Sequence, residues 1–389
     1  MNKLVIIGSI SDNPFVEDIA HHLQQREDYS DLISLKSFLN TEFCPRFIID
    51  EKREDNIGYK LEGNTILIVS STNSEFSRDE LAMRNFMIAR AAKDNGARRV
   101  ILLEPDLYYS AQDRGPRPEH GCCSIVRDLD DYKKFDGQPF SSRLYADLLK
   151  LSGVDEVITV HNHSNSVINL FQDRFNGRFF NLRPSDVYAE YMASGDLVHT
   201  NRLVLCAPDN GAMPFVQEVQ EELTRLGVHA GYVLMNKKRV GERDVHISIS
   251  DASPVQGDEL KGKDVVILDD MVRTGSTVVE CCRELKKYNP SRVVFMVTHF
   301  YSSREGRINM NDPAVDEIVT TSTNPQILNR DVQGRLRHKL VVLRIARWIS
   351  SHTLRMIDPG AEALKSPLYA EDMSSKNPRW KGKMGPLFS

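Results

Sequence analysis

Short apolar runs interspersed with stretches of helical periodicity constrain this chain more than any other feature. Residues 4–7, 65–69, 100–103, 156–160, 203–206, 232–234, 265–268 and 293–297 read as strands, and 14–23, 80–92, 142–151, 214–226 and 277–287 as amphipathic helices. Near-continuous apolar runs suit strands buried on both faces. Their alternation with helices predicts an α/β fold of mainly parallel sheets flanked by helices. A faint internal repeat sharpens this. Gly63-Asn-Thr-Ile-Leu-Ile-Val69 resembles Gly262-Lys-Asp-Val-Val-Ile-Leu268, and Arg99-Val-Ile-Leu-Leu103 resembles Arg292-Val-Val-Phe-Met296. Two tandem domains of one topology would produce such a repeat, and 389 residues accommodate them.

Fifty Lys+Arg against 54 Asp+Glu, a formal net charge of −4, exclude a basic nucleic-acid coat and an acidic disordered chain. No apolar run reaches the ~18 residues of a membrane span, and the apolar stretch at the amino end is too short for a secretory core. The expectation is a soluble cytoplasmic protein with no membrane or nucleic-acid partner. The six cysteines (Cys44, Cys122, Cys123, Cys206, Cys281, Cys282) include no C-x-x-C, so they read as reduced, mostly buried thiols and not as zinc ligands.

The segment Val265-Val-Ile-Leu-Asp-Asp-Met-Val-Arg-Thr-Gly-Ser-Thr277 carries the clearest chemistry. An apolar strand ends in Asp269 and Asp270, and Thr274, Gly275, Ser276 and Thr277 then open a helix. Free N–H groups, three hydroxyls and the helix dipole favour an anion there, and Gly275 lets the backbone come close. Carboxylates repel phosphate, so the two acids should serve sugar hydroxyls or a metal instead. Together the parts describe a ribose 5-phosphate pocket. By contrast, Gly257-Asp-Glu-Leu-Lys-Gly-Lys263 nearly spells a P-loop, but Asp264 stands where Ser or Thr is needed and a strand follows instead of a helix.

An apolar strand, two acids and T-G-S-T resemble the phosphoribosyl-pyrophosphate motif of type I phosphoribosyltransferases and ribose-phosphate diphosphokinases (PRPP synthases). Further segments resemble the diphosphokinases, from about Leu4 to about Met356. Tyr109-Ser-Ala-Gln-Asp-Arg114 is similar to their Y-A-R-Q-D-R, and Val157-Ile-Thr-Val-His-Asn-His163 to V-x-T-x-D-L-H. Cys206-Ala-Pro-Asp-Asn-Gly211 is similar to S-P-D-x-G, and Asn236-Lys-Lys-Arg239 to D-K-R-R. Phe47-Ile-Ile-Asp-Glu51 is an irregular match to the adenine-loop pattern F-x-[DN]-x-E, with Ile49 at the acid or amide position and Asp50 beside it as a substitute, and Thr298-His299 matches a T-H pair. Taken alone, Lys237–Arg239 reads more readily as a solvated charge run, and His161 and His163 as strand-end histidines than as ligands.

The resemblance implies two tandem type I phosphoribosyltransferase domains. Residues 1–184, with a returning segment 343–358, would form an ATP-site domain. Residues 185–342 would form the ribose-phosphate domain, and 359–389 a basic extension outside the core. It implies transfer of the diphosphoryl group of Mg-ATP to the C1 hydroxyl of ribose 5-phosphate. Lys237, Arg239 and His163 would be catalytic. Phe47, Glu51, Gln112, Asp113 and His163 would bind ATP. Asp209, Asp269, Asp270, Arg273, Thr274, Gly275, Ser276 and Thr277 would bind ribose phosphate. His163 and Asp209 would hold Mg2+. A homo-oligomer, dimer or hexamer, is implied as well.

Several positions depart from the family pattern: Ala111 for Arg, His161 for Asp, Arg273 for a usually acidic residue, and a long stretch at 115–137 beside the ATP segment. Arg273 could fork onto a second phosphate, which would suit a larger acceptor such as ADP-ribose. A non-catalytic regulatory paralogue and a phosphoribosyltransferase are the remaining alternatives.

Overall fold

The computed structural model describes residues 3–121, 126–195, 197–239, 245–364, 368–374 and 380–381, of which 237–239, 245, 246, 380 and 381 are described by backbone alone. The chain divides into two compact units, Met1–Arg183 with Ala346–Leu364, and Pro184–Ile345 with Lys365–Ser389.

In the first unit, β1 (Leu4–Gly8) is followed by a separate antiparallel hairpin of β2 (Ile33–Ser37) and β3 (Phe43–Phe47). Then β4 (Thr65–Val69), β5 (Arg99–Leu103), β6 (Glu156–Val160) and β7 (Phe179–Leu182) complete a sheet of order β1-β4-β5-β6-β7 in which every pair is parallel. Strands β4 and β6 are buried at every position, as their apolar runs require. The returning helix Ala346–Ile357 packs on the helix Pro14–His22.

The second unit holds β8 (Leu203–Ala207), β9 (Gly231–Arg239), β10 (Val245–Ile249), β11 (Asp264–Val272), β12 (Arg292–Phe300), β13 (Glu317–Thr321), β14 (Leu340–Arg344), β15 (Tyr369–Asp372) and β16 (Trp380–Lys381). Their order is β10-β9-β8-β11-β12-β13-β14-β15-β16, parallel from β9 to β14 and antiparallel at both ends. Strands β4 and β5 of the first sheet hold the positions that β11 and β12 hold in the second, and these are the strands of the internal repeat.

Two expectations are corrected. Beyond residue 359 the chain is not simply an extension outside the core, because β15 pairs with β14 and Ala370 and Met373 are buried. The gain is physical: the added strand covers an otherwise open sheet edge. The returning segment begins at Ala346 instead of 343, since Leu343 still pairs with Thr321 and Ala370.

The stretch at 115–137 is more regular than its Gly/Pro content suggests. It contains the helix Leu129–Phe135, and Arg127 staples it together. That guanidinium donates to the carbonyls of Gly115 (2.8 Å), Arg117 and His120 (both 3.2 Å) and pairs with Asp131 at 2.6 Å. Cys206, Cys281 and Cys282 are buried free thiols and Cys44 is an exposed one, while Cys122 and Cys123 lie outside the described residues. Among the described residues no helix is long and apolar enough to cross a membrane.

Candidate active site

In the second unit, β11 delivers Asp269 and Asp270 to the carboxyl end of the sheet, where open α/β sheets take their ligands. The Asp270 N–H donates to Asp269 Oδ1 at 2.9 Å. Burial pushes the Asp269 carboxyl well above its ordinary range, and the neighbouring charges of Asp270 and Asp209 add to the effect. Asp209 follows the adjacent strand β8. Its Oδ1 accepts from the Gly211 and Ala212 N–H groups at 2.8 and 3.1 Å, which closes the turn into the helix Met213–Arg225. Three carboxylates therefore gather at one sheet end, an arrangement suited to sugar hydroxyls.

The turn that follows β11 is built for an anion. Gly275 is left-handed at φ 77° and precedes the helix Ser276–Lys286, whose first turn holds no acidic residue. No side chain caps that N-terminus among the described residues, so its N–H groups stay available. Thr274 Oγ1 and Ser276 Oγ lie 3.4 Å apart at its mouth. Arg273 is exposed; the partner of its guanidinium is the Met271 sulfur at 3.9 Å, and it makes no ion pair among the described residues.

A short helix, Arg304–Met310, braces this turn from behind. Asn309 Nδ2 donates to the Thr274 carbonyl at 2.9 Å, and Ser303 Oγ to the Arg273 carbonyl at 3.2 Å. Gly306 lets the two backbones meet, for a Cβ there would stand 2.7 Å from the Arg273 carbonyl oxygen. A Cβ on Gly275 would stand 2.7 Å from the Met310 sulfur. Sequence reasoning missed these residues. Gly306 inside a helical run was the available signal for close approach.

Lys237 and Arg239 lie on β9, in register with Ile247 and Val245 of β10. Their side chains are outside the described residues, so the structure fixes only their backbone position on an edge ribbon.

In the first unit, hydroxyls gather Gln112, Asp113 and the loop that carries His163. Gln112 Oε1 accepts from Ser141 Oγ at 2.5 Å, and its carbonyl accepts from Ser142 Oγ at 3.0 Å. Asp113 Oδ2 accepts from Ser164 Oγ at 2.7 Å, and its carbonyl from Ser166 Oγ at 2.6 Å. His163 is exposed beside Ser164, whereas His161 is buried with a left-handed backbone at φ 47°. Phe47 is only 3% exposed, so its ring is an interior group. Glu51 is exposed and paired with Arg46 at 2.6 Å. Among the described residues no group of three or more His, Cys, Asp or Glu side chains is arranged to hold a metal ion.

Comparison with known proteins agrees with this layout. Residues 189–329 match the phosphoribosyl transferase domain family. A ribose-phosphate pyrophosphokinase of Methanobrevibacter smithii is 27% identical over 301 residues, covering 76% of this chain and 85% of its own. One of Pyrococcus furiosus is 29% identical over 266 residues, covering 68% and 80%. The crystal structure of a Mycobacterium smegmatis phosphoribosylpyrophosphate synthetase shares the fold, with a TM-score of 0.68 and 20% identity over 92% of this chain and 100% of that one. The matched domain spans the turn after β11, and over most of its length the chain is similar to ribose-phosphate pyrophosphokinases.

Proposed function

We propose that the protein transfers the diphosphoryl group of ATP to the C1 hydroxyl of ribose 5-phosphate. The open, glycine-hinged turn at Thr274–Thr277 directly beyond Asp269 and Asp270 carries this reading: an uncapped helix start follows two carboxylates on one strand end. The turn holds the 5-phosphate, and the acids accept hydrogen bonds from the ribose hydroxyls. The C1 oxygen attacks the β-phosphorus, the bond from that phosphorus to the α-bridging oxygen breaks, and AMP leaves. The hydroxyl proton passes to solvent.

Lys237 and Arg239 neutralise the transferring group. Phosphoryl-type transfer is mainly positioning and electrostatics, so their charges supply most of what the chain can add. Gln112, Asp113 and His163 bind the nucleotide, with Glu51 and the Phe47 hairpin on its adenine side. Mg2+ bound with ATP would shield the phosphate charge. It takes hard oxygen ligands, few of them from protein. Asp209 suits that role; the imidazole of His163 suits a phosphate oxygen better than this cation. Assembly as a homo-oligomer and a cytoplasmic setting belong to the same reading.

The test is a product analysis. Purified protein with Mg-ATP and ribose 5-phosphate should release AMP and 5-phosphoribosyl diphosphate in equal amounts. Release of ADP, or no turnover by the protein alone, would discard the assignment in favour of another kinase chemistry or a regulatory paralogue.

One observation supports a second acceptor. Arg273 stands exposed at the turn with no acidic partner among the described residues. A guanidinium so placed can fork onto a further phosphate, as in ADP-ribose. Arg273→Asp should then lower kcat/KM for ADP-ribose against ribose 5-phosphate by 1.5–3 kcal/mol, about the worth of a hydrogen bond to a charged group. An unchanged ratio would leave ribose 5-phosphate as the acceptor.

A further inference from the structure

Glu104 follows β5 directly and is fully buried. Its carboxyl sits in a cage drawn from several elements. Oε1 accepts from the Tyr108 N–H at 2.6 Å, and Oε2 accepts from Tyr145 Oη at 2.7 Å and from Asn85 Nδ2 at 3.1 Å. Asn85 extends the cage to the other strand ends. Its Nδ2 donates to Ser70 Oγ after β4, and its Oδ1 accepts from Ser9 Oγ after β1. Ser70 Oγ in turn meets Tyr108 Oη at 3.2 Å. Three strand ends and two helices thus converge on one acid.

The chain leaving this cage is the nucleotide segment. Tyr108 is held by Glu104, and Tyr109 then turns left-handed at φ 57° toward Gln112 and Asp113. The Tyr109 ring lies 5.2 Å from that of Tyr145, and its hydroxyl donates to Asp79 at 2.7 Å. The far end of the segment is fixed by Ser141, Ser142, Ser164 and Ser166, so Glu104 is the anchor of the near end. The other charged or titratable groups that face it are Tyr108, Tyr145, Asp106 and Arg78, and Arg78 is committed to Asp106.

We propose that Glu104 is a positioning residue for the nucleotide segment 109–114, and that ionising it loosens the segment and weakens nucleotide binding. This rests on the assignment of Gln112 and Asp113 to the nucleotide. Burial raises the carboxyl from its ordinary 4.5 to about 8, against the hydrogen bonds of Tyr108 and Tyr145 that work the other way. The group is therefore a neutral acid at pH 7 and acquires a buried charge above about 8. The proton is held more tightly in the folded chain than in the unfolded one. That advantage is whole below the ordinary carboxyl range and is lost as pH rises through about 8.

Full-length wild type, Glu104→Gln and Tyr145→Phe would be compared between pH 6.5 and 9 by thermal midpoint without ligand and by calorimetry with Mg-α,β-methylene-ATP and with ribose 5-phosphate. Wild type should lose roughly fivefold in nucleotide affinity across this range, as the cage opens to hydrate the buried charge. Glu104→Gln should flatten both the affinity and the midpoint profiles, and ribose 5-phosphate affinity should follow the same course in both proteins. Tyr145→Phe, which removes a donor to the ionised form, should move the break to higher pH and keeps the test open should Glu104→Gln fold poorly. A slope that survives unchanged in Glu104→Gln overturns the role of Glu104. Absence of analogue binding at every pH overturns the nucleotide assignment instead, and the midpoint profile then still reads the carboxyl.

Discussion

Strands β4 and β11 hold matching places in the two sheets, yet the helices that follow them begin in opposite ways. After β4, the helix Arg78–Asp94 is closed by a reciprocal cap. Ser77 Oγ accepts from the Glu80 N–H at 3.2 Å, and the Glu80 carboxylate accepts from the Ser77 N–H at 2.7 Å, with Asp79 also in the first turn. After β11, the helix Ser276–Lys286 begins at a left-handed glycine with no acid in its first turn. One N-terminus consumes its own donors and presents negative charge; the other keeps them for a ligand. The two units therefore share a strand plan and differ at this helix start, which is closed in the first and open in the second.

The largest effect should come from the edge ribbon of that unit. Lys237→Ala should lower turnover by about 10²–10³ while circular dichroism and melting stay close to wild type. Turnover near wild type would remove Lys237 from the chemistry and leave the turn as a binding feature alone.

Next in size is the turn itself. Gly275→Ala places a Cβ in a left-handed backbone and 2.7 Å from the Met310 sulfur. Strain of about 1–2 kcal/mol is expected where φ is positive. The loss should fall on ribose 5-phosphate, with KM rising tenfold or more and nucleotide affinity unchanged. Equal losses for both ligands would argue for general damage to the fold. Asn309→Ala is the milder probe, since it removes one hydrogen bond to the Thr274 carbonyl, worth about 1 kcal/mol. KM for ribose 5-phosphate should rise about fivefold with kcat little changed; a fall in kcat at constant KM would place Asn309 in another role.

The contrast between the turns also marks what a sequence carries. Apolar runs such as Thr65–Val69 and the local order of Asp269 to Thr277 are written in consecutive residues, so strands, helix start and anion turn can be read directly. The hairpin β2–β3 could not: Pro45 interrupts β3 and its burial pattern alternates weakly. β15 is four residues long and gains its place only by pairing with β14. Glu104 reads as an ordinary strand-end acid, because its cage comes from Asn85 and Tyr145, distant in sequence. Asn309 acts through a backbone carbonyl, and no motif records that.

The smallest expected effect tests the closed turn. Ser77→Ala removes the side chain that accepts from the Glu80 N–H and is met by the Glu80 carboxylate. Loss of such a cap typically costs 0.5–2 kcal/mol, about 1 in most helices. The melting temperature should fall by a few degrees at most. Freed of Ser77, however, the helix still carries Asp79 and Glu80 in its first turn, and their charge opposes an anion at the exposed N–H groups. Affinity for ribose 5-phosphate and the number of phosphate sites per chain should therefore stay as in wild type. Titration of inorganic phosphate into wild type and Ser77→Ala decides the matter. A second phosphate site appearing in the variant would mean that the cap alone keeps the first unit closed; an unchanged count would mean that the acidic first turn suffices.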